Sequence, residues 1–320
     1  MPAYSDLHVH LRGTISEAMV AKLGDLHGIP TPERDAAQPD SRLTSFERFL
    51  DEYRTRTSCI RTAQDLADVG RAFFELSAAD GLSYMEVQLS PQHSEHLGLD
   101  FNLELDLLSR EIDRIQESHG MIVKVIATAV RHLGPRSAFE TAVAVAKAKH
   151  PLVVGFGLTG NEMMYRPKEF ADAFAVARDV GLGLTAHVGE WTGPDQIIEA
   201  ISSLNLSRLG HGLSAAKHEE ALSCLVSHQV TVEVCIASNL ALGRVESAES
   251  HPVKDFVSKG VPCALCTDDP AFFFTSVPKE IALARQAGLS ETEVDRCLAA
   301  GILAAFCDDS TRSALLAVTA

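Results

Sequence analysis

Short apolar runs recur along this chain of 320 residues, and segments with helical periodicity separate them. Several runs are continuous rather than alternating, which is typical of parallel strands that are covered on both faces. The pattern predicts strands at residues 4–8, 82–89, 121–130, 152–158, 182–187, 207–209, 230–235 and 261–267. Intervening segments have the length and period of helices, for example residues 138–150, 167–180, 194–204 and 218–228.

This alternation, repeated about eight times, predicts an α/β fold of the (β/α)₈ TIM barrel type. Such barrels fill this length as one domain, so we expect a single domain over residues 1–320. Residues 14–80 exceed an ordinary connection and hold helical patterns at 46–55 and 64–80. We expect these extra helices after strand 1 to cap the C-terminal mouth. Residues 30–41 carry three prolines among charges and predict a surface loop.

Composition narrows the class of protein. Apolar residues make up 46% and charged residues 22% of the chain, as in soluble globular proteins. The formal net charge is −15 and no basic stretch is present, which argues against nucleic acid as a partner. No signal-peptide pattern or membrane-spanning apolar run is found, so we expect a cytoplasmic protein with a small-molecule substrate. The seven cysteines predict buried, reduced thiols.

Metal-binding side chains stand at the ends of several predicted strands. His8 and His10 end the first strand, His187 ends the fifth, and Asp268 follows the eighth. Because the C-terminal ends of barrel strands meet at one face, we expect these four side chains to converge. Three imidazoles and one carboxylate suit zinc and leave a position for water. No lysine in residues 152–162 offers a bridge between two metals, so we expect one zinc ion per chain.

Three further polar residues accompany the expected ligands. Glu190 follows His187 by three positions and suits a general acid, although a residue there can also cap the next helix. His211 lies between two glycines and suits a base near a metal-bound water, unless it is an ordinary loop histidine. Asp269 leaves the strand in a different direction from Asp268 and is expected to meet the substrate. Together these residues predict metal-assisted hydrolysis.

A second zinc pattern is misleading. Cys263-x-x-Cys266 and His93-x-Glu95 imitate the signature of cytidine-type deaminases. The two cysteines fall inside a predicted strand, where residues three apart face opposite sides, so we expect no thiolate zinc site. His93 and His96 follow the second strand, where they can face the pocket, and their role stays open.

An ordered set of motifs resembles the adenosine deaminase family of the amidohydrolase superfamily. The resemblance runs nearly end to end and rests on LHVHL at 7–11, GLTGNE at 157–162, HVGE at 187–190, LGHG at 209–212, CIASN at 235–239, HPV at 251–253 and TDDP at 267–270. Two positions depart from the usual motifs, because Asn161 stands where Asp is usual and Ile236 where Pro is common.

The resemblance implies a role for each site residue. His8, His10, His187 and Asp268 would bind zinc, which lowers the pKa of its water. His211 would orient and deprotonate that water for zinc-hydroxide attack at C6 of an aminopurine, and Glu190 would protonate ring N1. Asp269 would contact the nucleophile or N7, and the backbone N–H of Gly160 would contact N3. Ammonia would leave, and a 6-oxopurine would remain.

Arg12 departs from the family where the substrate is recognised. Most members have a short acidic or polar residue there that meets the ribose 5′-hydroxyl, and adenine-specific relatives tend to have Glu. A guanidinium cannot accept a hydrogen bond, but it pairs with carboxylate or phosphate. We therefore expect Arg12 at the rim, binding an anionic or acceptor-rich 5′ substituent, with a surface ion pair as the alternative.

The predicted function is a zinc-dependent hydrolytic deaminase of a 6-aminopurine nucleoside or a 5′-modified adenosine derivative. A free-adenine deaminase and a metal-dependent phosphoesterase on the same barrel are the enzyme alternatives. An inactive barrel used as a binding module is disfavoured, because no expected ligand is missing.

Overall fold

Eight parallel strands form one sheet whose order follows the chain. The computed structural model describes residues 4–31 and 46–319, so most of the predicted loop at 30–41 lies outside the described residues. The strands are β1 Tyr4–His10, β2 Leu82–Leu89, β3 Ile122–Val130, β4 Val153–Thr159, β5 Gly183–Val188, β6 Arg208–His211, β7 Thr231–Val234 and β8 Cys263–Leu265. The predicted (β/α)₈ barrel is therefore confirmed, with strand bounds close to those expected.

The barrel closes through the segment that follows β8. The Asp268 N–H donates to the His8 carbonyl at 2.8 Å, and the His10 N–H donates to the Asp268 carbonyl at 2.8 Å. A parallel bridge accordingly pairs Val9 with Asp268. The main chain therefore fixes Asp268 against the carboxyl end of β1.

Helices fill the connections between the strands. They are α1 Glu17–His27, α2 Phe46–Thr57, α3 Ala63–Ala79, α4 Pro91–His96, α5 Phe101–His119, α6 Pro135–Ala148, α7 Ala171–Asp179, α8 Pro194–Leu204, α9 Glu219–Ser227, α10 Ile236–Ala241, α11 Val253–Ser258, α12 Pro270–Phe273, α13 Val277–Gln286, α14 Glu291–Ala304 and α15 Asp309–Thr319. Three of them, α1 to α3, lie between β1 and β2, as the length of residues 14–80 predicts. Over the described ranges, no helix combines the length and apolar character needed to span a membrane.

Alternate strand residues have different surroundings. Along β2, Met85, Val87 and Leu89 belong to the apolar core that includes the surrounding helices. The alternate residues Glu86 and Gln88 are buried polar side chains and therefore point into the barrel. On β2 the apolar side chains thus face the surrounding helices, whereas the polar side chains face the barrel interior.

A fully buried ion-pair network lies inside the barrel. Arg208 of β6 contacts Glu86 Oε2 at 2.5 Å through Nη2 and Glu233 Oε1 at 2.7 Å through Nε. Its guanidinium also stacks 3.6 Å from the centre of the Phe306 ring. Buried charges are tolerated only when they are paired in this way. Because Glu233 also reaches His8, the network supports the residues at the carboxyl ends of the strands.

Candidate metal centre and active site

Four potential metal ligands converge at the C-terminal ends of the strands. His8, His10, His187 and Asp268 each place one ligand atom within 4.8 Å of the others. His10 Nε2 lies 3.1 Å from His187 Nε2 and 3.3 Å from Asp268 Oδ1, and His8 Nε2 lies 3.6 Å from the same oxygen. Ligands of a tetrahedral zinc ion, with bonds of about 2.0–2.2 Å, are separated by roughly 3.4 Å. The four residues therefore have the spacing of one metal site.

Hydrogen bonds on the far side of two imidazoles leave the inner nitrogens free for a cation. His8 Nδ1 lies 2.7 Å from Glu233 Oε2, and His187 Nδ1 lies 3.0 Å from the Leu158 carbonyl oxygen. Donation from Nδ1 leaves Nε2 with its lone pair, as in most histidine ligands. His8 Nε2 is buried and has no hydrogen-bond partner among the described residues.

The charge balance around His8 also favours a cation. Burial alone would lower the pKa of His8, but hydrogen bonds and charges from Asp268 and Glu233 outweigh it and raise the pKa to about 10. This raised pKa means that the two carboxylates stabilise positive charge at this point. A divalent cation bound by the four ligands meets the same requirement.

Asp268 is held by its backbone and by Ser238. Its φ angle is 64°, in the left-handed region that few residues other than glycine adopt. Main-chain bonds to β1 fix this conformation, and the Ser238 hydroxyl donates to Asp268 Oδ2 at 2.6 Å. Asp268 Oδ1 is thereby directed towards the histidines. Strained backbone of this kind is common at functional sites.

Glu190 is fixed beside the metal cluster and is buried. Its N–H donates to Glu162 Oε1 at 3.2 Å, and its carbonyl accepts from Arg244 Nε at 3.0 Å. Burial, together with the charges of Asp268 and Glu162, raises the pKa of Glu190 well above its ordinary value. The side chain therefore favours the protonated form that a general acid needs.

His211 faces the cluster from β6. Its Nε2 lies 4.0 Å from Asp268 Oδ2, and Asn239 Nδ2 lies 3.3 Å from His211 Nδ1 and 3.2 Å from Glu190 Oε1. His251 Nε2 in turn lies 3.2 Å from Asn239 Oδ1. Burial lowers the pKa of His211 to about 3, so the imidazole is neutral near pH 7.

Two glycines leave space for site side chains. A Cβ on Gly13 would come within 1.8 Å of Asp269 Oδ1, and a Cβ on Gly210 would come within 2.8 Å of His8 Cε1. Asp269 is buried, and its Oδ1 has no partner in the described part of the chain. Burial and the adjacent Asp268 carboxylate raise the pKa of Asp269 well above its usual value.

A cavity of about 640 Å³ extends outward from the metal cluster. Helix α2 contributes Phe46, Phe49, Leu50 and Tyr53 to its wall, which confirms that an inserted helix covers the mouth. Gly160, for which the resemblance implies a backbone contact with substrate, also lines this cavity. The polar and apolar walls together form a pocket of the size and character that small ligands occupy.

Arg12 lines the cavity but is buried, with 3% of its side chain exposed, rather than at an open rim. Its Nη2 lies 2.7 Å from Glu104 Oε1 of α5, and the Ser94 hydroxyl donates to the other oxygen of Glu104. Nε and Nη1 have no partner within the described residues. From the sequence, a surface ion pair was the alternative to substrate binding by Arg12. Arg12 does form an ion pair, but inside the protein, and substrate binding by Arg12 stays a prediction.

The cytidine-type pattern forms no metal site within the described ranges. Cys263 and Cys266 are buried thiols, and neither belongs to a group of converging metal-binding side chains. Cys235 does lie with His211 near Asp268, but this group shares Asp268 with the histidine cluster. Burial raises the pKa of Cys235 well above its usual value, which disfavours the thiolate that a metal requires.

Several residues that shape the site carry no motif signal that predicts their role. Glu162, Glu233, Ser238 and Asn239 each hold a ligand or a candidate catalytic group in place. Glu233 had a detectable signal, because a carboxylate within the apolar run 230–235 needs a buried partner. Gln88 is also buried on the cavity wall, and both its amide atoms lack partners in the described residues.

Known proteins resemble the whole chain. The family model described as Adenosine deaminase matches residues 3–319. An adenine deaminase from Agrobacterium fabrum is 35% identical over 98% of this chain and 96% of its own length. The crystal structure of an adenine deaminase from Arthrobacter aurescens has a TM-score of 0.92 and 27% identity, covering 100% of this chain and 98% of that one. An N6-mAMP deaminase from Arabidopsis has a TM-score of 0.87 and 25% identity, covering 99% and 97%.

Proposed function

Because the chain belongs to the adenosine deaminase family and is thus a hydrolase acting on C–N bonds, we propose that it deaminates an aminopurine nucleoside or a 5′-modified adenosine derivative. One zinc ion per chain is part of the proposal. The supporting observation is the convergence of His8, His10, His187 and Asp268 beside Glu190 and His211 at the inner end of one cavity. The phosphoesterase alternative is not retained, since the chain falls within a deaminase family.

The donor set fits zinc in number, spacing and chemistry. Zinc held there would polarise a water molecule and lower its pKa towards neutrality. His211, whose ring faces Asp268, is assigned to orient and deprotonate the attacking water. Asn239 links His211 to Glu190 and so keeps the two proton-transfer groups at a fixed separation.

Glu190 supplies the proton that ring N1 of the purine receives. Its carboxyl group donates to ring N1, so negative charge does not accumulate on the purine as C6 is attacked. Asp269 contacts N7, and the N–H of Gly160 contacts N3. These contacts bind the base by its edges, so that C6 faces the ligand cluster. The proton that His211 took from water passes to the amino group, the C6–N bond breaks and ammonia leaves. The hydroxyl group on C6 returns its proton to Glu190 and becomes the carbonyl of the 6-oxopurine.

The cavity supports a substrate larger than a free base. Pockets of about 300–1,000 Å³ enclose drug-sized ligands, and 640 Å³ leaves much of this cavity empty around a bare purine. A free-adenine deaminase is the second candidate, and the names of the Agrobacterium and Arthrobacter relatives favour it. The name of the Arabidopsis neighbour favours a substituted nucleotide instead.

An ultraviolet assay of 6-aminopurines distinguishes these substrates. We expect the purified protein to deaminate adenosine or a 5′-modified adenosine with a higher kcat/KM than adenine, and to hold one zinc ion per chain by elemental analysis. Faster turnover of adenine than of every nucleoside would establish the second candidate. Absence of deamination with the whole panel would refute the proposed reaction, and two tightly bound ions would refute the single-metal site.

A further inference from the structure

The cavity wall is divided between acidic and basic side chains. Among the described residues, its acidic members are Glu162, Glu190, Asp268 and Asp269, all of which lie at the metal cluster. The basic members outside that cluster come from the segments that follow β1, β2 and β3. They are Arg12, Arg54, Arg61, His93, His96 and His132.

The order of the strands relates this division to the substrate. This inference rests on the proposed function, in which Glu190, after β5, contacts N1 of the purine. In the same arrangement Gly160, after β4, contacts N3, and Asp269, after β8, contacts N7. Around a purine, N9 lies between N3 and N7 and opposite N1. The substituent on N9 must therefore point towards the loops that follow β1, β2 and β3, which are the basic side of the cavity.

Arg12 does not supply the free charge on this side. Its Nη2 is committed to a buried ion pair with Glu104 Oε1 at 2.7 Å, so Arg12 is less free than an exposed arginine to pair with a ligand. Arg54 has only a loose contact, 3.5 Å from Asp51, and both side chains are exposed. Arg61 donates its backbone N–H to Asp65 Oδ2 at 3.0 Å, but its side chain has no ion-pair partner within the described ranges. Two exposed guanidinium groups on the cavity wall are therefore not neutralised by a close ion pair within the described part of the chain.

We propose that the N9 substituent of the substrate carries an anionic group, a phosphate or a carboxylate, which Arg54 and Arg61 bind at the outer end of the cavity. A planar guanidinium matches either anion through paired N–H donors. His93 and His132 line the path between this end and the purine and offer further ring nitrogens.

The local potential agrees with this assignment. Burial, followed by the charges of Arg12 and the neighbouring histidines, lowers the pKa of His93 to about 3. Burial and the charge of Arg54 lower the pKa of His132. A chain with a formal net charge of −15 repels anions at long range, so the selecting charges must be local.

The test compares adenine, adenosine, adenosine 5′-monophosphate and adenosine 5′-carboxylate on the zinc-loaded enzyme. We expect the two anionic substrates to have at least about tenfold higher kcat/KM than adenosine, since charge-assisted hydrogen bonds contribute on that scale. The anionic substrate with the higher kcat/KM shows whether the N9 substituent of the natural substrate carries a phosphate or a carboxylate. Because the arginines are exposed, the preference should shrink as salt is raised from low to high concentration.

Substitutions test whether Arg54 and Arg61 cause the preference for anionic substrates. Arg54→Ala and Arg61→Ala should each raise KM for the preferred anion about tenfold, with a much smaller effect on adenosine and little change in kcat. Arg61→Lys should recover part of the loss. Arg296→Ala removes an equally exposed arginine from α14, away from the cavity, and is the matched control. Equal losses on adenosine and the anions, or adenosine as the better substrate of the unmodified enzyme, would overturn the assignment.

A binding measurement separates this proposal from the proposed reaction. If no 6-aminopurine is deaminated, the reaction is wrong, and calorimetry with inosine and inosine 5′-monophosphate still tests the basic end of the cavity. Tighter binding of the monophosphate, weakened by the Arg54→Ala, Arg61→Ala double variant, would support it. Equal affinities of the two ligands would contradict it.

Discussion

Replacing Glu233 by Gln tests how the barrel interior controls the metal centre. Glu233 Oε1 accepts from Arg208 and from Thr185, while Oε2 lies 2.7 Å from His8 Nδ1. A glutamine can keep its oxygen towards Arg208 and Thr185, but its amide group then donates towards His8. His8 must respond by accepting at Nδ1 and carrying its proton on Nε2, the atom expected to bind the metal. The substitution therefore stabilises the tautomer that cannot be a ligand.

The magnitude follows from this geometry. Substitution of residues that orient metal ligands typically weakens metal binding by about 10–100-fold, which corresponds to roughly 1.4–2.7 kcal/mol. Both carboxylate oxygens of Glu233 are used and the side chain is fully buried, so no water can replace the lost acceptor. We therefore expect Glu233→Gln to be near the upper end of this range.

Competition with a chromophoric zinc chelator measures the change. Glu86→Gln is the matched control, because Glu86 pairs with the same Arg208 but is not bonded to His8. The control should lower thermal stability while leaving zinc affinity within about threefold, a difference of less than 1 kcal/mol. Unchanged zinc affinity in Glu233→Gln, or equal weakening in both variants, would refute the tautomer argument.

Three further substitutions test other parts of the site. Glu190→Gln should fold and keep its metal but lose about 10²–10⁴-fold in kcat, since an amide cannot donate the acid proton; near-normal kcat with full metal content would return Glu190 to a structural role. Arg12→Ala leaves Glu104 buried without its partner and should lower the free energy of unfolding by about 3–5 kcal/mol; an unchanged denaturation midpoint would contradict this. Gln88→Leu removes an unpaired buried amide, so it should stabilise the free protein by about 1 kcal/mol or more while raising KM; lower stability with an unchanged KM would show that the amide is structural.

Much of the barrel was predictable because its outer face is apolar. Strand β2 matches its predicted bounds, since residues 82–89 are rich in residues that favour strands and lie between helical patterns. The converging ligands were also predictable, because the barrel geometry brings strand ends together wherever they occur in the sequence. The shortest strand, β8, was predicted too long, at residues 261–267, because its flanking residues are apolar but leave the ladder.

The partners of the site residues were not predictable in the same way. Arg12 and Glu104 are far apart in sequence, and neither shows by residue type alone that it will be buried beside the other. The short acidic or polar residue that most family members have at the position of Arg12 carries no positive charge and needs no carboxylate partner. The positions of Arg54 and Arg61 likewise depend on how α2 lies across the mouth, which periodicity does not specify.

The closure between β1 and the segment after β8 connects folding to metal binding. The carbonyl of His8, the N–H of His10 and both main-chain groups of Asp268 make this seam, so three of the four expected ligands also join the first and last strands. A bound ion would hold the first and last strands together. Because its ligands converge only when these strands are joined, ion binding stabilises only the closed barrel. The set of four expected ligands is complete only after residue 268, which follows β8, so full assembly of the centre requires the barrel to close.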